Sequence, residues 1–192
     1  MRKSLLFVWA CMGLVCLMSA CKTSVKSKEW KLVWVEDFDQ KNSFDESVWT
    51  KIPRGTSDWN NYMSYYDSCY AMQDGNLILR GIANHTQKND TAPYLTGGVY
   101  TKGKKLFTGG RVEVCARLQA AKGAWPAIWM LPEKAEWPKG GEIDIMERLN
   151  HDRIAYQTTH SYYTHILGIK DNPPHGGINK INPEEYNIYS VD

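Results

Sequence analysis

An all-β sandwich is the fold this sequence predicts, and three observations carry the prediction. Apolar and polar residues alternate with a period of two in short runs, clusters of Gly, Pro and Asn separate those runs, and no long helical period or repeat interrupts them. Residues 30–38, WKLVWVEDF, alternate around Trp30, Leu32, Trp34 and Glu36 and predict a first strand. SCYAM and LILRGIA flank QDGN at 73–76, where Asp74-Gly75 supplies the turn chemistry of a tight hairpin. GRVEVCARLQ, 110–119, sets Val112, Val114, Ala116 and Leu118 on one face and Arg111, Glu113, Cys115 and Arg117 on the other, as a half-buried strand does. AIWML (127–131), EIDIM (142–146), IAYQTTHSYY (154–163) and YNIYSV (186–191) are further strands. Residues 164–185, rich in Pro, Gly and Asn, read as one long loop, either the wall of a binding site or a surface excursion. Residues 186–192 read as a strand only just begun, so the chain is expected to be truncated, because a sandwich pairs its strands.

The two ends of the chain carry different messages. Residues 1–21 combine a basic start, an apolar run from Leu5 to Met18 that is short for a bilayer, and Ser19-Ala20-Cys21. That is an export signal, and its small-small-Cys ending resembles the processing box of bacterial lipoproteins. Cys21 would then be lipidated and the protein anchored to the outer membrane, on its periplasmic or surface face; a plain secretory signal is the alternative. Residues 22–29, KTSVKSKE, read as a polar tether, and residues 30–192 as a single domain. Removing residues 1–21 takes Arg2 and Lys3 from the 23 basic residues and none of the 21 acidic ones, so the mature chain is formally neutral. A neutral chain without a basic stripe is not a nucleic-acid binder. The membrane enters only through the lipid, and a monomer is expected. Cys69 and Cys115 are too few for a disulfide framework and are expected as buried thiols. His160 and His165 lack a zinc spacing and have no third ligand near them in sequence, so no zinc site is expected.

GEIDIMERLN, 141–150, holds the chemistry. Glu142 and Asp144 share a face of a regular strand, whereas Glu147 should point the other way. One extra residue at a β-bulge in Ile145-Met146 would return Glu147 to the acid face. At roughly 3.3 Å per residue, four effective steps separate the two Glu Cα atoms by about 13 Å, and inward-leaning side chains leave about 5–6 Å between carboxyls. That is close to what a retaining glycosidase needs, although an inverting pair needs only somewhat more. Three carboxylates on one face repel one another, and the nearest cation in sequence, Arg148, alternates to the opposite face, so the cluster costs stability unless one member holds a proton, which is what a general acid must do. A solvated acidic face or a calcium site would use the same residue types. The surroundings favour sugar chemistry: GAWPAIWMLP (123–132) and AEWPKGGE (135–142) bring Trp125, Trp129 and Trp137 close in sequence to the acids. Trp129, between Ile128 and Met130, is expected in the core, while Trp125 and Trp137, each followed by Pro at an irregular turn, are the cleft candidates.

GEIDIME preceded by Trp-Pro, with GAWPAIWMLP upstream, resembles the signature of glycoside hydrolase family 16, in the bulge-bearing branch of laminarinase-like β-glucanases. The resemblance runs from about Trp30 to the end, through LVWVEDF, WNNYMSYY, DGNLILRG, GGVYTKGK, GGRVEVCARL and TTHSYY in the family's order. It implies a curved, concanavalin A-like jelly roll with an open cleft. It also implies retaining endo-hydrolysis of β-1,3-glucan (laminarin) or mixed-linkage β-1,3-1,4-glucan, with no cofactor for catalysis and a structural calcium as an option. By position, Glu142 would be the nucleophile, Asp144 its hydrogen-bonding partner and Glu147 the acid and base. Trp125 and Trp137 would line the central subsites, Asn61 would reach the sugar beyond, and His160 would support the acids.

Two positions depart from the pattern. Tyr62 stands where many members have Glu, and Arg148 where they have an aromatic or small residue; both are expected near the cleft. Lys139 and Arg148 are the cations in the acid-flanking segments, too few to favour sulfated algal galactans such as agar or carrageenan, which remain an alternative substrate class. A non-catalytic glucan-binding lipoprotein is the other alternative, disfavoured by the complete acid triad.

Overall fold

Twelve short strands follow one another along the computed structural model, which describes residues 30–39 and 42–192. They are β1 (Thr50–Lys51), β2 (Tyr70–Gln73), β3 (Asn76–Leu79), β4 (Gly81–Ala83), β5 (Tyr94–Thr96), β6 (Val99–Tyr100), β7 (Val112–Ala116), β8 (Ala127–Met130), β9 (Glu142–Glu147), β10 (Ile154–His160), β11 (Gly176–Lys180) and β12 (Asn187–Val191). A one-turn helix, α1 (Tyr162–His165), follows β10. The expected export signal with Cys21 and the expected tether lie outside the described residues. Residues 30–32 belong to a separate N-terminal unit, and residues 33–192 form the unit described below.

Among the described residues these strands pair with one another antiparallel, and an isolated parallel bridge joins Met63 to Thr96 of β5. A four-stranded sheet runs in the order β11-β10-β9-β8, and the ribbons β12-β7, β2-β3, β4-β5 and β1-β6 complete the β-structure. Asp74 (φ 52) and Gly75 (φ 69) both take the left-handed conformation that a two-residue hairpin turn demands, joining β2 to β3. Strand β7 shows the expected alternation, with Val112, Val114 and Ala116 half-buried between exposed Glu113 and Cys115. The core forms where this strand and β12 meet the four-stranded sheet: Leu118, Ile145, Met146, Ala155 and Tyr189 are buried, with Val112, Ala116, Ile128, Met130, Ile181 and Val191 packed around them. Met146 is fully buried, a burial contributing about 1.5–3 kcal/mol. The sandwich is thus assembled on the side of β9 that carries Ile145 and Met146, which leaves its other side for function.

Four expectations are corrected. Residues 30–38 form no strand: Trp34, Glu36 and Phe38 are half-buried in an extended segment, where Trp49 Nε1 donates to Glu36 Oε2 at 2.9 Å, but the backbone has no strand partner among the described residues. Residues 164–185 are not one loop, because Gly176–Lys180 pairs with β10 as an exposed edge strand. The predicted strand over 154–163 stops at His160: Ser161 caps α1 by accepting from the Thr164 amide, while the Thr164 hydroxyl accepts from the Ser161 amide. The expected pair of buried thiols holds for Cys69 alone: Cys115 is exposed because it lies on the outward-facing side of β7, and both thiols are free.

Candidate active site

The acidic strand begins at a turn that only glycine can make. Gly141 has φ 81, and a Cβ on Gly140 would stand 2.4 Å from Pro132 Cγ and 2.5 Å from Ala135 Cβ. Once in the sheet, β9 is irregular in the way its phase requires. Against β10, Glu142 faces His160 and Asp144 faces Thr158, but Glu147 faces Tyr156, so three steps on β9 match two on β10. Against β8, Asp144 faces Trp129 and Met146 faces Ile128, so two steps match one. This is a β-bulge at Ile145-Met146. It sends two consecutive side chains into the core, 2 % and 0 % exposed, and brings Glu147 back to the face of Glu142 and Asp144. The driving force is apolar: both bulge residues gain burial, and the acid phase is reset as a result.

Each glutamate is held by an indole. Trp125 Nε1 donates to Glu147 Oε1 at 2.7 Å, and Trp137 Nε1 donates to Glu142 Oε2. Both rings remain about half exposed. Between the glutamates lies Asp144, buried, with its Oδ2 3.1 Å from His160 Nε2 but out of line for a ring hydrogen bond. Burial, then the charges of Glu147 and Glu142, then a hydrogen bond shared with Glu142 push the Asp144 carboxyl up to about 7. The repulsion thus falls on the most buried member, which holds a proton more readily than a free carboxyl does. Behind Trp137, the His165 ring packs edge-on at 4.5 Å, and His165 lies 6.2 Å from the His160 ring. Donor atoms of Glu142, Asp144 and His160 lie within 4.8 Å of one another, so they could hold a cation. The arrangement offers two opposed carboxylates, a buried acid that shares a hydrogen bond with Glu142, and aromatic walls suited to sugar rings.

Residues 68–180 match the family described as "XgeA-like, catalytic GH16 domain". The chain belongs to glycoside hydrolase family 16. It is 42 % identical over 144 residues to a keratan-sulfate endo-1,4-beta-galactosidase of Sphingobacterium multivorum, covering 72 % of this chain and 34 % of that protein. It is 34 % identical over 163 residues to a beta-glucanase of Rhodothermus marinus, covering 80 % and 56 %. Among solved structures, the laminarinase catalytic domain of Thermotoga maritima superposes with a TM-score of 0.71 at 29 % identity, over 86 % of this chain and 70 % of that one. The chain thus spans about a third to a half of the length of these two curated relatives.

Within this family 16 domain the structure gathers Glu142, Asp144, Glu147, Trp125, Trp137 and His160 into one site. It does not join Asn61 to them by any hydrogen bond among the described residues. Asn61 sits in the turn 55–63 with its side-chain oxygen buried and without a hydrogen bond. Two expectations are reversed. Trp129 faces Asp144 in register and is therefore on the acid side rather than in the core; its ring meets Trp59 edge-on at 4.9 Å. Arg148 is not a cleft residue: it is buried on the core side, donating to the Leu118 carbonyl and, at 2.6 Å, to that of Asp152. Strand pairing sets His160 opposite Glu142, a neighbour that its sequence position does not show. Trp59 and His165 were missed. Trp59 stands in an irregular turn, and His165 reaches Trp137 only through the fold of α1, so neither leaves a periodic signal.

Proposed function

We propose that this domain hydrolyses internal β-glucosidic bonds of β-1,3- or mixed-linkage β-1,3-1,4-glucan with retention of configuration. The observation that carries the reading is the bulge in β9, which puts Glu142 and Glu147 on one face with an indole holding each carboxylate. In the first half-reaction the Glu142 carboxylate attacks the anomeric carbon. The glycosidic C–O bond breaks as Glu147, in its acid form, delivers its proton to the leaving oxygen. In the second, water attacks the same carbon, Glu147 takes the water proton, and the bond from the carbon to Glu142 breaks. Asp144 acts through Glu142: its shared hydrogen bond orients the nucleophile and takes up part of its charge, and His160 positions Asp144. Trp125 and Trp137 present half-exposed faces to the sugars on either side of the cleaved bond, and Trp59 and Trp129 extend that apolar wall. The carboxylates complete this cycle without a cofactor. A structural calcium remains outside the catalytic steps.

With the export signal ending at Cys21, this reading places a monomeric, lipid-anchored enzyme at the outer membrane, acting on polysaccharide. A β-galactosidic substrate is the second reading, favoured by the 42 % identity to the keratan-sulfate enzyme. The test is a polysaccharide panel with product analysis, comprising laminarin, mixed-linkage glucan, agar, carrageenan and keratan sulfate. New reducing ends on a glucan, lost in Glu142→Gln, support the leading reading. Cleavage of galactans alone moves the substrate class to the second. Binding to glucan without cleavage of anything would make the protein a non-catalytic binder.

A further inference from the structure

The structure points to a second occupant of the acid cluster: we propose that Glu142, Asp144 and His160 bind a single divalent transition ion of the zinc class, and that the ion inhibits the enzyme by occupying its nucleophile.

Geometry is the first support. One donor atom from each of the three residues lies within 4.8 Å of the others, and Asp144 Oδ2 is 3.1 Å from His160 Nε2. Two ligands on a tetrahedral ion with bonds of about 2.0–2.1 Å lie about 3.3 Å apart, so the Asp144 and His160 atoms already stand at nearly that separation. The sheet fixes them there: Glu142 and His160 are directly opposite in the β9–β10 register, and Asp144 is two residues along on the same face. The second support is independent of spacing. Asp144 is 4 % exposed, and its Oδ2 receives no hydrogen bond, since His160 Nε2 approaches it out of line. A buried carboxylate oxygen with a nearby imidazole nitrogen and no donor of its own gains directly from a cation between them.

The donor set selects the ion. Calcium takes six to eight oxygen ligands, and magnesium keeps most of its water. One imidazole nitrogen and two carboxylate oxygens suit zinc and its neighbours, and the solvent side of half-buried Glu142 leaves a fourth position for water. A Glu142 oxygen bonded to the ion cannot attack an anomeric carbon, so bound metal and productive substrate exclude one another. This last consequence rests on the hydrolase reading; the binding itself does not.

The experiment is calorimetric titration of the untagged full chain with Zn²⁺ at neutral pH, beside His160→Gln, Asp144→Asn and, as a control at the separate His175–Asp171 pair, His175→Gln. One ion per chain is expected, with affinity reduced roughly tenfold or more in the first two variants and unchanged in the third. Equal affinity in His160→Gln, or loss only in His175→Gln, would overturn the site. If His160→Gln does not fold, imidazole NMR of the native chain answers the same question: Zn²⁺ must shift the His160 ring, and a shift confined to other histidines refutes the proposal. In the glucan assay Zn²⁺ should raise KM and leave kcat unchanged, and a fall in kcat alone would refute the competition. Stoichiometric binding at His160 in a protein that cleaves no polysaccharide would remove the hydrolase reading and keep the metal site. Cleavage without such binding would do the reverse.

Discussion

The two ends of β9 each present a glutamate, and they are built differently. At the Glu142 end, a buried carboxyl stands two residues along, a histidine faces the glutamate across the sheet, and the indole that holds it is itself backed by His165. At the Glu147 end, beyond the bulge, one indole holds the carboxylate, and Ala127 and Tyr156 lie across from it. The difference matches two tasks. A nucleophile must keep its charge and its aim through bond formation, which a coupled acid and a fixed ring support. A group that gives and takes a proton must exchange it with the leaving oxygen and with water, and needs a lighter hold.

Removing each carboxylate is the strongest way to break that comparison. Glu142→Ala should lower kcat on glucan by about 10⁴-fold or more. Azide should rescue it to give a glycosyl azide of inverted configuration. Glu147→Ala should lose about 10²- to 10⁴-fold. With an activated leaving group it should lose less, and azide should give the retained configuration. Swapped rescue products would exchange the two roles.

Asp144→Asn should fall between those losses and the indole effects, and it should also change the pH dependence of stability. The Asp144 carboxyl is about 7 in the fold against 3.8 unfolded, so the folded state holds the extra proton between those values. Its contribution to stability is full below the unfolded value and is lost as pH rises towards 7. Melting temperatures across that window should fall with pH in the native protein and flatten in Asp144→Asn. An identical slope in both would remove Asp144 as the proton holder.

The smallest expected effects come from the indoles. Trp137→Phe and Trp125→Phe keep a ring and lose one hydrogen bond to a charged group, about 1.5–3 kcal/mol at most, or roughly ten- to hundredfold in kcat/KM. Trp137→Phe should lower kcat more than Trp125→Phe does, because it frees the nucleophile. Equal losses confined to KM would make both rings mere binding walls.

Much of this was legible in the sequence, because the local pattern and the fold agree where β-periodicity is strong. The turn at Asp74-Gly75, the alternation of 112–116 and the bulge demanded by the phase of Glu147 all follow from side-chain spacing. What was not legible depends on tertiary contact. Trp129 looks like core between Ile128 and Met130, yet its register with Asp144 turns it to the acid face. Arg148 follows the alternation that turns it away from the acids, but its burial on two backbone carbonyls, rather than a place near the cleft, comes from tertiary contact. Residues 176–180 look like loop because glycine and asparagine carry no strand propensity, and pairing with β10 alone makes them a strand.

The central claim, that β9 presents a nucleophile and an acid/base on one face for a double displacement, is tested most directly by the anomeric configuration of the first product. Proton NMR of a laminarin oligosaccharide digest should show the β-anomer of the new reducing end first, with the α-anomer growing in only as the sugar mutarotates. An initial burst of α-anomer would mean a single displacement by water, and would contradict the assignment of Glu142 as nucleophile.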